Sequence, residues 1–285
     1  MEKMLITGAT GFIGRYVIEK ARQKGFAVIA SSANPEHARQ QPWYGAVDYV
    51  PLDLGEWDPA LNWFQLLGSP DRMIHLAWEG LPNYKNAFHL EINLPRHMAF
   101  LHNLVSHGLR SLTVTGTCLE YGMQEGCLTE TQPIYPANPY AEAKDRLRKQ
   151  LGKGQEQYPY TLNWARLFYL YGKGQNPNSL FSQLDKALAN HEPVFNMSGG
   201  EQVRDYLPVE KAADYLVRIA GQDRVTGIIN CCSGIPVTVR EMVEDYLERR
   251  GQTIALNLGY YPYPDYEPFR FWGDVSKLKT ILAHE

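Results

Sequence analysis

The segment Thr7-Gly8-Ala9-Thr10-Gly11-Phe12-Ile13-Gly14 constrains this chain more than any other. A short apolar run, residues 4–7, precedes it. A helical period over residues 15–24 follows and stops at Gly25. Glycines between a strand and a helix allow a tight turn and close backbone approach, and the first free N–H groups of the helix can hold a phosphate. Such a turn opens a dinucleotide-binding βαβ unit when the strand lies at the start of the chain. The pattern continues with strand candidates at residues 27–30, 49–52, 73–76, 112–115 and 161–168. Helical stretches fill the intervals, notably 87–107 and 139–151, ended by Gly108 and Gly152. Alternating strands and helices predict an α/β fold with a parallel, doubly wound sheet.

Composition removes other classes. The 285 residues carry 28 basic and 31 acidic side chains, a net charge of −3, with 44% apolar residues. That is ordinary globular usage, so disorder, nucleic-acid binding and membrane binding driven by bulk charge are not expected. No apolar run approaches the roughly 20 residues of a membrane span. The structured pattern begins at residue 4, so a signal peptide is not expected. Cys118, Cys127, Cys231 and Cys232 show no CxxC spacing, so reduced thiols and a cytoplasmic location are expected. His97, His102 and His107 recur every five residues and scatter around a helix, so no metal is expected.

After residue 172 the chain changes character. Residues 173–202 are rich in Gly, Asn and Pro around a helix near Leu180–Ala189, and 257–270 is crowded with Tyr and Pro. The expected division is a Rossmann domain over residues 1–170, to which 203–233 return. A small substrate-binding region then comprises 171–202 and 234–285.

The catalytic candidates are Tyr140 and Lys144. Four residues apart on a helix, they share a face. An ammonium beside a phenol lowers its pKa from about 10, and such a tyrosine can exchange a proton with a carbonyl or carbinol oxygen. Pro139 stands where that helix would start.

The GxxGxxG spacing of the glycine turn resembles the short-chain dehydrogenase/reductase superfamily. The segment Thr113-Val114-Thr115-Gly116-Thr117-Cys118-Leu119-Glu120-Tyr121-Gly122, followed by Tyr140 and Lys144, resembles its extended branch, in which most members modify nucleotide sugars. The resemblance implies that Thr117 is the catalytic hydroxyl, acting with Tyr140 and Lys144. It places Gly8, Thr10, Gly11, Phe12, Ile13 and Gly14 at the cofactor pyrophosphate. Asp53 and Leu54 fall beside the adenine, and Leu76, Ala77 and Trp78 along the cofactor. Asn93, Thr115 and Phe168 lie near its reactive end.

At the second strand end this chain has Ser32, not the acid that would bond a ribose 2′-OH and repel a 2′-phosphate. Arg15 would add positive charge nearby. Both favour NADP, with NAD as the other possibility.

The resemblance extends over nearly the whole chain. Residues 165–175 match the sixth-strand signature and place Tyr169 at the substrate, where relatives often have Asn. Arg204 and Arg270 match arginines that hold a nucleotide diphosphate; taken alone, each reads as a salt-bridge residue. Sugar dehydratases of the branch carry acids directly after the catalytic Thr, where this chain has Cys118 and Leu119, so 4,6-dehydration is not expected. Cys118 is one position away from the cysteine of 3,5-epimerising members and reads as packing. The expected function is an NADP-linked reductase of a 4-keto-6-deoxy nucleotide sugar; the alternative is a C4 epimerase of the UDP-glucose 4-epimerase type with retained NAD. The resemblance also implies a homodimer built on the helices at 87–107 and 139–151, with Phe88, Ile92, Met98, Leu101 and Leu104 available to core or interface.

Overall fold

The computed structural model describes residues 1–265 and 267–283; Tyr266, within the Tyr/Pro-rich segment, lies outside the described residues. The strands are β1 (Lys3–Thr7), β2 (Ala27–Ser32), β3 (Asp48–Pro51), β4 (Arg72–His75), β5 (Ser111–Thr117), β6 (Gly126–Leu128) and β7 (Thr161–Leu167), then β8 (Tyr169–Tyr171), β9 (Val194–Asn196), β10 (Val203–Pro208), β11 (Gly227–Cys231), β12 (Pro236–Thr238), β13 (Ala255–Asn257) and β14 (Phe271–Gly273). The helices are α1 (Gly14–Gln23), α2 (Pro35–Arg39), α3 (Trp63–Leu66), α4 (Leu94–Ser106), α5 (Pro139–Gly154), α6 (Leu180–Ala189), α7 (Val209–Ala220), α8 (Val239–Arg249) and α9 (Ser276–Leu282).

Seven strands form one parallel sheet in the order β11-β7-β5-β4-β1-β2-β3. The fold is the Rossmann-like, doubly wound α/β architecture that the strand–helix alternation predicts. Successive strand residues point to opposite faces, and the sequence exploits this. Ile6 packs with Val17, Ile18, Leu216 and Leu278 on one face. Its neighbour Leu5 packs with Phe100, Leu104, Leu147 and Trp164 on the other. Being buried on both faces, these strands read as continuous apolar runs. The sheet reverses its strand order between β1 and β4, where Thr7 and His75 are paired, and ligands of such sheets bind in the crevice beyond that point.

The second half adds a smaller lobe. A three-stranded sheet, β12-β10-β8, and the pair β13-β9 surround a core of Phe181, Leu184, Phe195, Met242 and Val243, while the pair β14-β6 packs Phe271 and Leu128 with Tyr121 and Phe168. Buried Asp205 on β10 accepts the N–H groups of Ser233 at 2.7 Å and Gly234 at 2.8 Å, and that of Gly273 at 3.3 Å. This joins the end of β11 to β14.

Residues 87–107 do not form one regular helix. His89–Asn93 is a π-helical turn, and α4 begins only at Leu94. Pro95 explains the break: it offers no N–H, and its ring disturbs the preceding turn of a regular ladder. Leu101 and Leu104 are fully buried and belong to the core, whereas Ile92 is exposed. No helix among the described residues is long and apolar enough to cross a membrane.

Candidate active site

The glycine turn is shaped by what it must avoid. Gly8 has φ +67°, and a Cβ there would lie 2.8 Å from the Ala77 nitrogen at the end of β4. A Cβ on Gly14 would collide with the Gly8 carbonyl oxygen. The first turn of α1 carries no acidic residue. The result is a cradle of backbone N–H groups at a helix start, open to an anionic group. On these grounds the residues present fit a dinucleotide.

Two cavities meet at this turn. One, of about 240 Å³, lies at the ends of β1, β2 and β3 and includes Thr10, Ser32, Leu54, Ala77 and Asn93. The other, of about 540 Å³, includes Phe12, Ile13, Thr115, Thr117, Tyr140 and Lys144, with Phe168 and Tyr169 on its far wall. Both share Gly8, Gly11, Leu76 and Trp78. The glycine turn therefore sits midway along a continuous cleft, as a pyrophosphate between two nucleosides requires.

Asn138 caps α5, accepting the Ala141 N–H at 2.9 Å, and Pro139 takes the first helical position. This cap places Tyr140 on the first turn and Lys144 one turn later, both buried. The Tyr140 hydroxyl hydrogen-bonds Thr117 at the end of β5, and burial pushes the phenol pKa up. Lys144 donates from Nζ to the Thr115 carbonyl at 3.0 Å and lies 3.9 Å from the centre of the Trp78 ring. Burial lowers its pKa to about 7, against the opposing pull of Glu120.

The sequence expectation that Lys144 depresses the Tyr140 phenol is thus corrected. The ammonium is engaged with a carbonyl and an indole face, 5.9 Å from the phenol ring centre, and desolvation governs Tyr140. His75 is a packed strand residue; it bonds Thr7 and His97, each at 2.8 Å, and burial lowers its pKa to about 3.

Four predicted site residues lie elsewhere. Arg15 donates to the Lys173 carbonyl and lines neither cavity. Asp53 caps its own turn, accepting the Gly55 N–H at 2.7 Å, while Leu52 and Leu54 face the cavity. Arg204 is buried, 2.9 Å from Glu267, and also donates to the carbonyls of Val203 and Phe269. Arg270 is exposed and lines neither cavity. A buried guanidinium requires a partner, and Glu267 supplies one.

Glu267 also lines the 540 Å³ cavity, as do Tyr84, Gln175 and Ser179. Sequence reasoning gave no role to Gln175, which ends the segment 165–175, and missed Glu267, Tyr84 and Ser179, which lie in loops without a local motif. It also missed the partners of Glu120. That carboxylate turns from the cavity into the sheet and pairs with Arg166 at 2.8 Å.

The sequence pattern of the NAD dependent epimerase/dehydratase family matches residues 4–232. The dTDP-6-deoxy-L-talose 4-dehydrogenase (NAD(+)) of Aggregatibacter actinomycetemcomitans is 29% identical, over 95% of this chain and 98% of its own. A UDP-glucose 4-epimerase of Halalkalibacterium halodurans is 25% identical, over 99% and 90%. Among solved structures, MoeE5 in complex with UDP-glucuronic acid and NAD superimposes with a TM-score of 0.81 at 25% identity, covering 99% of this chain and 92% of that one.

Proposed function

The chain belongs to the NAD dependent epimerase/dehydratase family, and from that premise we propose that it is an oxidoreductase acting at C4 of a 6-deoxy nucleotide sugar. The observation that carries this reading is the wall of the catalytic cavity. Thr117, Tyr140 and Lys144 converge there, and the residues after Thr117 are Cys118 and Leu119. Burial pushes the Cys118 thiol up, and leucine transfers no proton. Nothing at these positions performs the elimination of a dehydratase, so redox chemistry at a single carbon remains. Leu81, Pro82 and Leu119 line the same cavity and suit a deoxy methyl group. The 4-dehydrogenase relative, aligned over nearly both full lengths, supports the same assignment.

A bound nicotinamide would supply or accept the hydride. The chain's own residues do the rest. The backbone of residues 8–14 holds the pyrophosphate. Thr117 hydrogen-bonds the reacting oxygen and fixes its position. Tyr140, neutral because burial raises its pKa, donates its hydroxyl proton to the alkoxide formed on reduction and takes it back in the reverse direction. Lys144 holds the strand end through Thr115 and presents its ammonium at the cleft.

For the cofactor we favour NAD over NADP. Arg96 is the only cation lining the adenosine end among the described residues, and it faces Glu79 at 3.8 Å. Ser32 Oγ lies 3.2 Å from the Tyr49 hydroxyl, a neutral pair suited to ribose hydroxyls. With Arg15 turned to Lys173, the cavity offers a 2′-phosphate no counter-charge besides the Arg96 that faces Glu79. A homodimer remains our proposal for assembly, built on α5, α4 and the π-helical turn before it, where Ile92 is exposed and Met98 is half-buried.

The test is reduction of a thymidine-diphosphate-linked 4-keto-6-deoxyhexose with NADH, by wild type and Tyr140→Phe. The variant keeps the ring and should lose a factor of ~10²–10⁴ in turnover, the worth of general acid catalysis. Retention of more than about a tenth of the wild-type rate would show that Tyr140 is not the acid. Interconversion of the two C4 epimers of the corresponding 4-hydroxy nucleotide sugar, without net NADH consumption, would replace the reductase reading with the C4 epimerase.

A further inference from the structure

We propose that Glu120 is a positioning residue for this chemistry: its buried carboxylate fixes the backbone of Thr117, and so the aim of the Thr117 hydroxyl toward Tyr140. The inference rests on the Thr117–Tyr140–Lys144 reading above. Glu120 is fully buried, in the 3-10 turn that follows β5. Its Oε1 accepts the Thr117 N–H at 2.9 Å. The Trp164 indole N–H reaches both carboxylate oxygens, at 3.0 and 3.1 Å, and Arg166 Nε donates to Oε2 at 2.8 Å. Trp164 and Arg166 both stand on β7, the strand paired with β5. The carboxylate therefore ties the catalytic turn to the sheet rather than to a loop.

Thr117 is held from both ends of one turn. Its N–H is fixed by Glu120, and its Oγ1 accepts the Leu119 N–H at 3.2 Å. A hydroxyl has one proton to donate and two lone pairs. With one lone pair committed to Leu119, the remaining capacity faces the cavity and Tyr140. Gly116 belongs to the same arrangement, because a Cβ there would collide with the Trp164 ring nitrogen and the Glu120 carboxylate. Beyond the pair, the Arg166 guanidinium covers the Tyr121 ring at 4.4 Å, and the Tyr121 hydroxyl donates to Asn230 on β11 at 2.7 Å. A buried ion pair contributes little net stability compared with apolar residues of similar volume. What this pair adds, and an apolar pair would not, is an acceptor at the Thr117 N–H.

The experiment is a mutant cycle read in kcat and KM with NADH and the 4-keto sugar, with the melting temperature followed in parallel. Glu120→Leu combined with Arg166→Met removes the acceptor without leaving a buried cation unpaired. It should lower kcat about tenfold, the worth of one positioning hydrogen bond, and leave KM for NADH unchanged. In a Thr117→Val background the same pair of changes should alter kcat by less than about twofold, because the hydroxyl it aims is gone. An equal loss in both backgrounds, or no loss with Thr117 present, overturns the proposal. Where that pair does not accumulate as folded protein, Glu120→Met combined with Arg166→Leu, which also removes both acceptor and cation, enters the same cycle under the same criteria. Full activity in Thr117→Val alone would instead overturn the reading on which the proposal rests.

Discussion

Replacing Lys144 with methionine isolates the free energy of keeping an ammonium buried under the cleft. Lys144 is 2% exposed, and burial lowers its pKa from 10.5 to about 7. Between those values the unfolded chain binds more protons than the folded one. The stability that depends on Lys144 is therefore absent below about pH 7, rises through the window, and is complete above about pH 10.5. The full span corresponds to roughly 5 kcal/mol, at about 1.4 kcal/mol for each tenfold change in proton affinity. Methionine matches the length of the stem and carries no proton. It loses the bond to the Thr115 carbonyl, a contribution of about 1 kcal/mol that does not depend on pH in this range. The assay is denaturant unfolding of wild type and Lys144→Met from about pH 6 to pH 10, with the difference plotted against pH so that all other titrations cancel. The variant should be the more stable protein at low pH, and its advantage should shrink by several kcal/mol toward about pH 10. A difference that stays flat within about 1 kcal/mol would mean that Lys144 is not held in a desolvated site. The same substitution should weaken turnover and cofactor binding, a gain in stability at the expense of the site.

Cofactor titration addresses the adenosine end: NADH should bind at least about tenfold more tightly than NADPH, and Ser32→Arg should narrow or reverse the ratio by supplying a counter-charge. Tighter NADPH binding to the wild type would refute the assignment. Sedimentation at micromolar concentration should show a dimer for the wild type and a monomer for Ile92→Asp, with an unchanged circular dichroism spectrum. A monomeric wild type would remove the α4/α5 face as an interface.

The order of strands and helices was legible in the chain itself, because buried parallel strands read as apolar runs and glycines punctuate the helices. The glycine turn was equally legible. Its spacing is a steric requirement, met where Gly8 touches Ala77 and Gly14 the Gly8 carbonyl. Tyr140 and Lys144 share a helix face by their separation alone, and Thr117 stands at a strand end that any doubly wound sheet turns toward its cleft. What the tertiary structure decided is where charges end up. Arg15 went to Lys173, Arg204 to Glu267, Asp53 to its own turn, and Glu120 to Arg166. Each of these partnerships, Asp53 excepted, joins residues dozens of positions apart or more, and desolvation makes such a choice compulsory for a buried charge. Local sequence shows that an arginine is present, but which carboxylate or carbonyl lies within its reach is fixed only when the strands and loops close around it.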